Sequence, residues 1–170
     1  MARKKKENKV VVNNDTLAYN GEVSITVMHG KKTIKTMKNH NEGFAPFFEF
    51  LMYCLVGTFY TNKTPAYLRV FDASDNELTL RAIPTTGAPQ YSVATDGKSS
   101  SVVITFNVAS TALSSLNGIK KYRLYSRENA TSDNVSNQSA STESANAINL
   151  TKGSSLIVAW KLTIGNASSI

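Results

Sequence analysis

Three stretches of this chain alternate apolar and polar residues with a period of two, and that alternation decides which folds are open to it. In 22–28, Val23, Ile25 and Val27 share one face; in 101–108, Val102, Ile104, Phe106 and Val108 do. In 155–164 the aligned set is Leu156, Val158, Trp160, Leu162 and Ile164. A helix would scatter such residues around its circumference, whereas a strand lines them up. The turn at 29–32 sends the first run back through 33–38, which predicts a hairpin with a basic outer side. Ile157 and Ala159 make the start of the last run apolar on both faces, which predicts a central strand. Residues 66–71, 78–83 and 121–125 read as further strands, with turn chemistry at 72–77, 84–89 and 117–118. Seven or eight short strands predict a mainly β fold, an antiparallel β-sandwich or barrel-like domain.

One segment breaks the pattern. Between 45 and 57 the chain is apolar nearly all round, with Glu49 as its one charge. Pro46 suits a first helical turn and Gly57 the position just past a last one, so a short apolar α-helix is expected over 45–57. Such a helix needs cover on most sides, from this chain or from a neighbouring subunit. Phe47, Phe48 and Leu51 are its candidate core or subunit-interface anchors, together with Trp160 from the last strand. Residues 126–147 read differently, since 12 of the 22 are Ser, Thr or Asn. That composition predicts a long polar loop, or an arm that orders only against a neighbour. Its Asn-x-Ser/Thr triplets at Asn129, Asn134 and Asn137 follow from the composition.

Charge divides the chain. Residues 1–38 hold nine Lys/Arg against three acids, a net +6, while the other 132 hold ten against nine, a net +1. The expected organisation is a basic N-terminal arm over 1–15 and a single β-rich domain over 16–170 with the polar loop at 126–147. The arm's Arg3, Lys4, Lys5, Lys6 and Lys9 form a candidate docking segment for an acidic partner. Arg3, Lys4, Lys5 and Lys6 would neutralise about four phosphates, giving weak, salt-sensitive nucleic-acid binding without sequence choice. Stacking aromatics are not interleaved with it, so an acidic groove on another protein is the favoured partner.

Little else carries chemistry. Cys54 is the sole cysteine and His29 and His40 the sole histidines, too few for a soft-ligand metal cluster. His40 sits among turn residues, and Cys54 lies inside an apolar run, where a thiol is an inert small hydrophobe. Asp72, Asp75 and Glu77 lack the glycine and the ligand count of a calcium loop. There is no phosphate-binding glycine loop and no nucleophile elbow. No apolar run reaches the roughly 20 residues that cross a bilayer, and no secretory signal follows the basic tip. The expectation is a non-enzyme with no catalytic or metal-binding residues, no cofactor and no membrane.

The segment Asn39-His40-Asn41-Glu42-Gly43, followed by 47–51, 54–57 and 65–71, resembles a stretch found in virion proteins of tailed bacteriophages. There a turn containing His-Asn-x-Gly precedes a short apolar helix ending in glycine, then a strand after a proline. Residues 156–166 are similar to the closing strand of such proteins, which often carry Glu before the Trp where this chain has Ala159. The resemblance implies a non-enzymatic structural protein, a capsid- or head–tail-associated assembly or decoration component that self-associates. Its partners would be other virion proteins, and its place the virion, assembled in the host bacterial cytoplasm. A tail-tube or tail-knob component is the nearest variant. A small basic nucleic-acid-binding module, built from the arm and the Lys31–Lys38 hairpin, is the alternative from another class.

Overall fold

The computed structural model describes residues 17–43, 65–78, 82–85, 90–95, 97–109, 116–126 and 138–166. Nine strands lie among them: β1 (Leu17–His29), β2 (Lys32–His40), β3 (Glu42–Gly43), β4 (Pro65–Phe71) and β5 (Gln90–Val93), then β6 (Ser99–Ala109), β7 (Leu116–Ser126), β8 (Gln138–Leu150) and β9 (Ser154–Asn166). They form two sheets, ordered β2-β1-β9-β6-β5 and β3-β8-β7-β4. Every pairing is antiparallel. The fold is mainly β, as the alternation predicts. The pairings are nested, β1 with β9, β3 with β8, β4 with β7 and β5 with β6, so the chain pairs with itself in reverse order.

Period-two alternation builds the core. Val23, Trp160 and Ile104 stand opposite one another across β1, β9 and β6, then Ile25, Val158 and Phe106, then Val27, Leu156 and Val108. These rows meet Leu68, Val70, Tyr122, Leu124, Ala140, Ile148 and Leu150 from the other sheet, in a sandwich-like arrangement around one core. Burying each large side chain contributes about 1.5–3 kcal/mol. The strand expected to be central, β9, runs between β1 and β6. Trp160 is 0% exposed within this core.

Two expectations need correction. The polar loop over 126–147 is in good part strand: Ser126 closes β7, and β8 begins at Gln138. Ala140, Thr142 and Ser144 alternate inward, and the hydroxyls find carbonyls, Thr142 Oγ1 on His40 O at 2.7 Å and Ser144 Oγ on Asn146 O at 2.8 Å. With strands on both sides supplying its ladder, β8 forms despite its composition. Of the strand expected over 78–83, residues 79–81 lie outside the described residues, and the flanking Leu78 and Ala82 bond to β4. Leu78 N–H donates to Val70 O, and Leu68 and Ala82 exchange two bonds, all at 2.9 Å. The second correction is that 39–43 is not a free turn. β2 runs on to His40, and Glu42–Gly43 already pairs with β8, leaving Asn41 as the corner between the sheets.

That corner is tied down on all sides. Asn41 N–H donates to Gly21 O at 3.0 Å, and its Nδ2 donates to Tyr19 Oη at 2.7 Å. Asn39 Nδ2 donates to Glu143 O at 2.8 Å. A Cβ at residue 21 would fall 1.5 Å from Asn41 Oδ1, so a larger residue there forces the Asn41 amide to move. The expected helix at 45–57 and the arm at 1–15 lie outside the described residues, among which there is no helix.

Candidate functional site

β2 is an edge strand, paired by β1 on one side and by no described strand on the other. Its residues from Lys32 to Thr36 are all exposed, and only Met37 on this strand packs against the core. The end of β2 meets β8 through Asn39 and His40, whereas Lys32–Thr36 have no cover from the described residues. In register, Lys32 lies opposite His29, Lys35 opposite Val27 and Lys38 opposite Ser24. A bulge between Val27 and Met28 takes up one extra residue on β2, Ile34, which is 58% exposed.

A second turn extends this basic surface. Gly30 N–H donates to Gly153 O at 3.3 Å, docking the β1–β2 turn on the β8–β9 turn. Both glycines sit in the left-handed region, at φ 57° and 84°. His29 Nδ1 lies 3.1 Å from Ser154 Oγ, which itself lies 3.1 Å from Thr151 Oγ1. Ser154 is 7% exposed, and the contact ties the two turns together. The contact brings exposed Lys152 to the same end as Lys31 and Lys32. Lys152 is the member of this surface that sequence reasoning missed. Its signal was a hairpin turn at 151–153, hidden by the expectation of a loop just before it.

The cations of the other sheet are spent differently. Arg69, with its side chain 7% exposed, is held by both oxygens of Glu77, the Nε–Oε1 bond being 2.7 Å. Its guanidinium lies 5.5 Å from the Phe71 ring centre and 5.0 Å from that of Tyr125. Arg123, paired directly with Arg69 across β4 and β7, lies 4.3 Å from the Phe71 ring centre. Asp75 takes Lys121 at 2.8 Å and also Arg123. The acidic turn 72–77 is thus occupied by this chain's own cations, and no cluster of three metal-ligating side chains exists among the described residues. By contrast, Lys31, Lys32, Lys35 and Lys38 have no ion pair with any described residue.

Of the residues singled out in the sequence, Arg3, Lys4, Lys5, Lys6, Lys9, Phe47, Phe48 and Leu51 lie outside the described residues. Trp160 lies in the core, away from any surface. His40 contributes its carbonyl to Thr142 while its side chain is exposed. What the described surface offers chemically is therefore a row of unpaired ammonium groups along an open strand edge, suited to attracting negative charge. No protein-family model matches this chain, and no curated protein or solved structure matches it either.

Proposed function

We propose that this chain is a non-enzymatic structural component of a tailed-phage virion, docked on the capsid shell or head–tail region through positive charge and self-associating. The single observation that carries the docking role is the contrast between the sheets. Arg69, Lys121 and Arg123 of β4 and β7 are ion-paired within the chain and Lys120 bonds two backbone carbonyls, whereas the four lysines of the β1–β2 hairpin are exposed and form no ion pair among the described residues. Unpaired charge of one sign, gathered at one edge, is the arrangement that steers an acidic partner. The lysines of the 1–15 arm carry the same sign, and Phe47, Phe48 and Leu51 are candidate core or subunit-interface anchors outside the described residues. The resemblance of 39–43 and 156–166 to virion proteins supports the same reading. A tail-tube or tail-knob part is its nearest variant.

The test is mass by light scattering after size exclusion, at low and at high salt. A discrete oligomer that persists in high salt is expected, because apolar interfaces are not screened. A monomer under both conditions contradicts self-association.

The same lysines favour one second reading, a nucleic-acid-binding module. Residues 28–41 contain no Phe, Tyr or Trp, so the hairpin offers phosphate contacts without base stacking. Four phosphate contacts give a log–log salt slope of about −3.6 on duplex DNA. A slope near zero, or no retention at low salt, removes this reading.

A further inference from the structure

We infer that β2 is a strand-addition site: an extended, acidic segment of a partner protein pairs along Lys32–His40 as a sixth strand of the β2-β1-β9-β6-β5 sheet. This rests on the docking role proposed above and names the chemistry of the partner. Three features lead to it. The first is the exposed edge of β2, whose outward N–H and C=O groups meet no described strand and are engaged only at His40, whose carbonyl accepts from Thr142 Oγ1. The second is charge: residues 23–41 contain no Asp or Glu, while Lys31, Lys32, Lys35 and Lys38 are exposed and form no ion pair among the described residues. The third is Ile34, an exposed apolar side chain set between Lys32 and Lys35, which a phosphate backbone has no use for and a peptide side chain does.

The same features exclude a second copy of this chain as the occupant. Lysines and a bulge on an edge strand are the devices by which proteins stop like edges from pairing. Two β2 edges brought together would oppose their own lysines, whereas a carboxylate-bearing strand turns each into a cross-strand pair. The chain's own 1–9 segment is basic and is repelled in the same way. Lys35 and Lys38 alternate between the two faces of the strand, so the partner carries acids on both of its faces.

The experiment uses the full chain and three probes: a Glu-rich nonapeptide with a central Val, the same peptide N-methylated at alternate residues, and a short DNA duplex. Binding is followed by titration, and site by amide hydrogen exchange. The unmodified peptide is expected to bind and to slow exchange in 32–40 without slowing it in 90–93. K32E/K35E/K38E is expected to weaken it by about tenfold or more, like charges then replacing opposite ones across the strands. The methylated peptide keeps every charge but cannot complete the ladder, so it is expected not to bind. Equal binding of the methylated peptide overturns strand addition, as does unchanged exchange in β2. Binding of DNA in place of the peptide overturns it in favour of nucleic acid. The methylated probe needs no variant, so the test survives a variant that fails to fold. No particle enters this experiment, so its failure leaves the virion role standing. Absence from particles, conversely, leaves the strand site standing.

Discussion

Asn41 lies directly over Gly21: its N–H bonds the Gly21 carbonyl at 3.0 Å, and its side-chain oxygen occupies the space a Cβ at position 21 would take. The link fixes the angle at which the chain leaves one sheet for the other. It also holds the C-terminal end of β2, the strand that carries the exposed lysines. Fold and docking surface are therefore coupled at one corner.

Gly21→Ala is expected to destabilise the protein by about 1–3 kcal/mol, the range for overpacking a filled site. Asn41→Ala loses the bond to Tyr19 and is expected to cost about 1 kcal/mol. The double variant should cost clearly less than the sum, because the second change removes the clash created by the first. Urea unfolding of the three variants measures this coupling, and strict additivity would mean that the two residues do not share the space.

Much of this architecture was legible in the sequence, for a physical reason. Strands whose inward residues are large and apolar, such as Val23–Ile25–Val27 and Leu156–Val158–Trp160, announce their period. β8 does not, because its inward residues Ala140, Thr142 and Ser144 look like loop chemistry until neighbouring strands supply their partners. The corner at 39–43 was readable as a change of direction but not as a crossing between sheets, which depends on contacts from Gly21 and Glu143 far away in sequence. Of the basic surface, the hairpin lysines could be read from the turn at 29–32. Lys152 reaches the same end only through pairing of β1 with β9.

The Arg69–Glu77 pair offers a contrast between breaking and replacing. Glu77→Ala removes a carboxylate from a nearly buried guanidinium and is expected to cost about 3 kcal/mol. Replacing both residues with Met should cost less than that single change, since no buried charge then remains. Thermal and urea unfolding compare the two. A double replacement worse than Glu77→Ala would show the pair to be net stabilising in itself.

Tyr122 is wholly buried, and its hydroxyl has no hydrogen-bond partner in good geometry, although Ser144 lies beside it. Burial pushes the phenol well above its ordinary value, with Ser144 offsetting only part. Tyr122→Phe is therefore expected to leave stability within about 0.5 kcal/mol or to raise it, because an unsatisfied polar group is removed without a cavity. Tyr122→Ala is expected to cost about 3–5 kcal/mol. Equal losses for the two variants would reveal a hydroxyl contact that stabilises the core.

Acid should loosen the turn at 72–77. The hydrogen bond from Lys121 holds the Asp75 carboxyl below its ordinary 3.8, and Arg123 adds to the effect; Asn76 does the same for Asp72. A depressed folded value means that the stabilisation is full above 3.8 and is lost as pH falls through the lower folded value. Both groups are exposed, so the effect is modest and weakens with salt. Urea midpoints followed from neutral to acid pH should fall, and Asp75→Asn should flatten part of that fall. An unchanged profile in Asp75→Asn would separate Asp75 from the acid response.

The assembly role is tested most directly by quantitative mass spectrometry of gradient-purified phage particles from a lysate that expresses this chain. The expected result is a fixed, multiple copy number per particle for the native chain, and loss of incorporation when Lys4, Lys5 and Lys6 are replaced by Glu while the isolated variant still folds. Absence of the native chain from the particles would contradict the virion role outright, and undiminished incorporation of the Glu variant would remove the arm from docking.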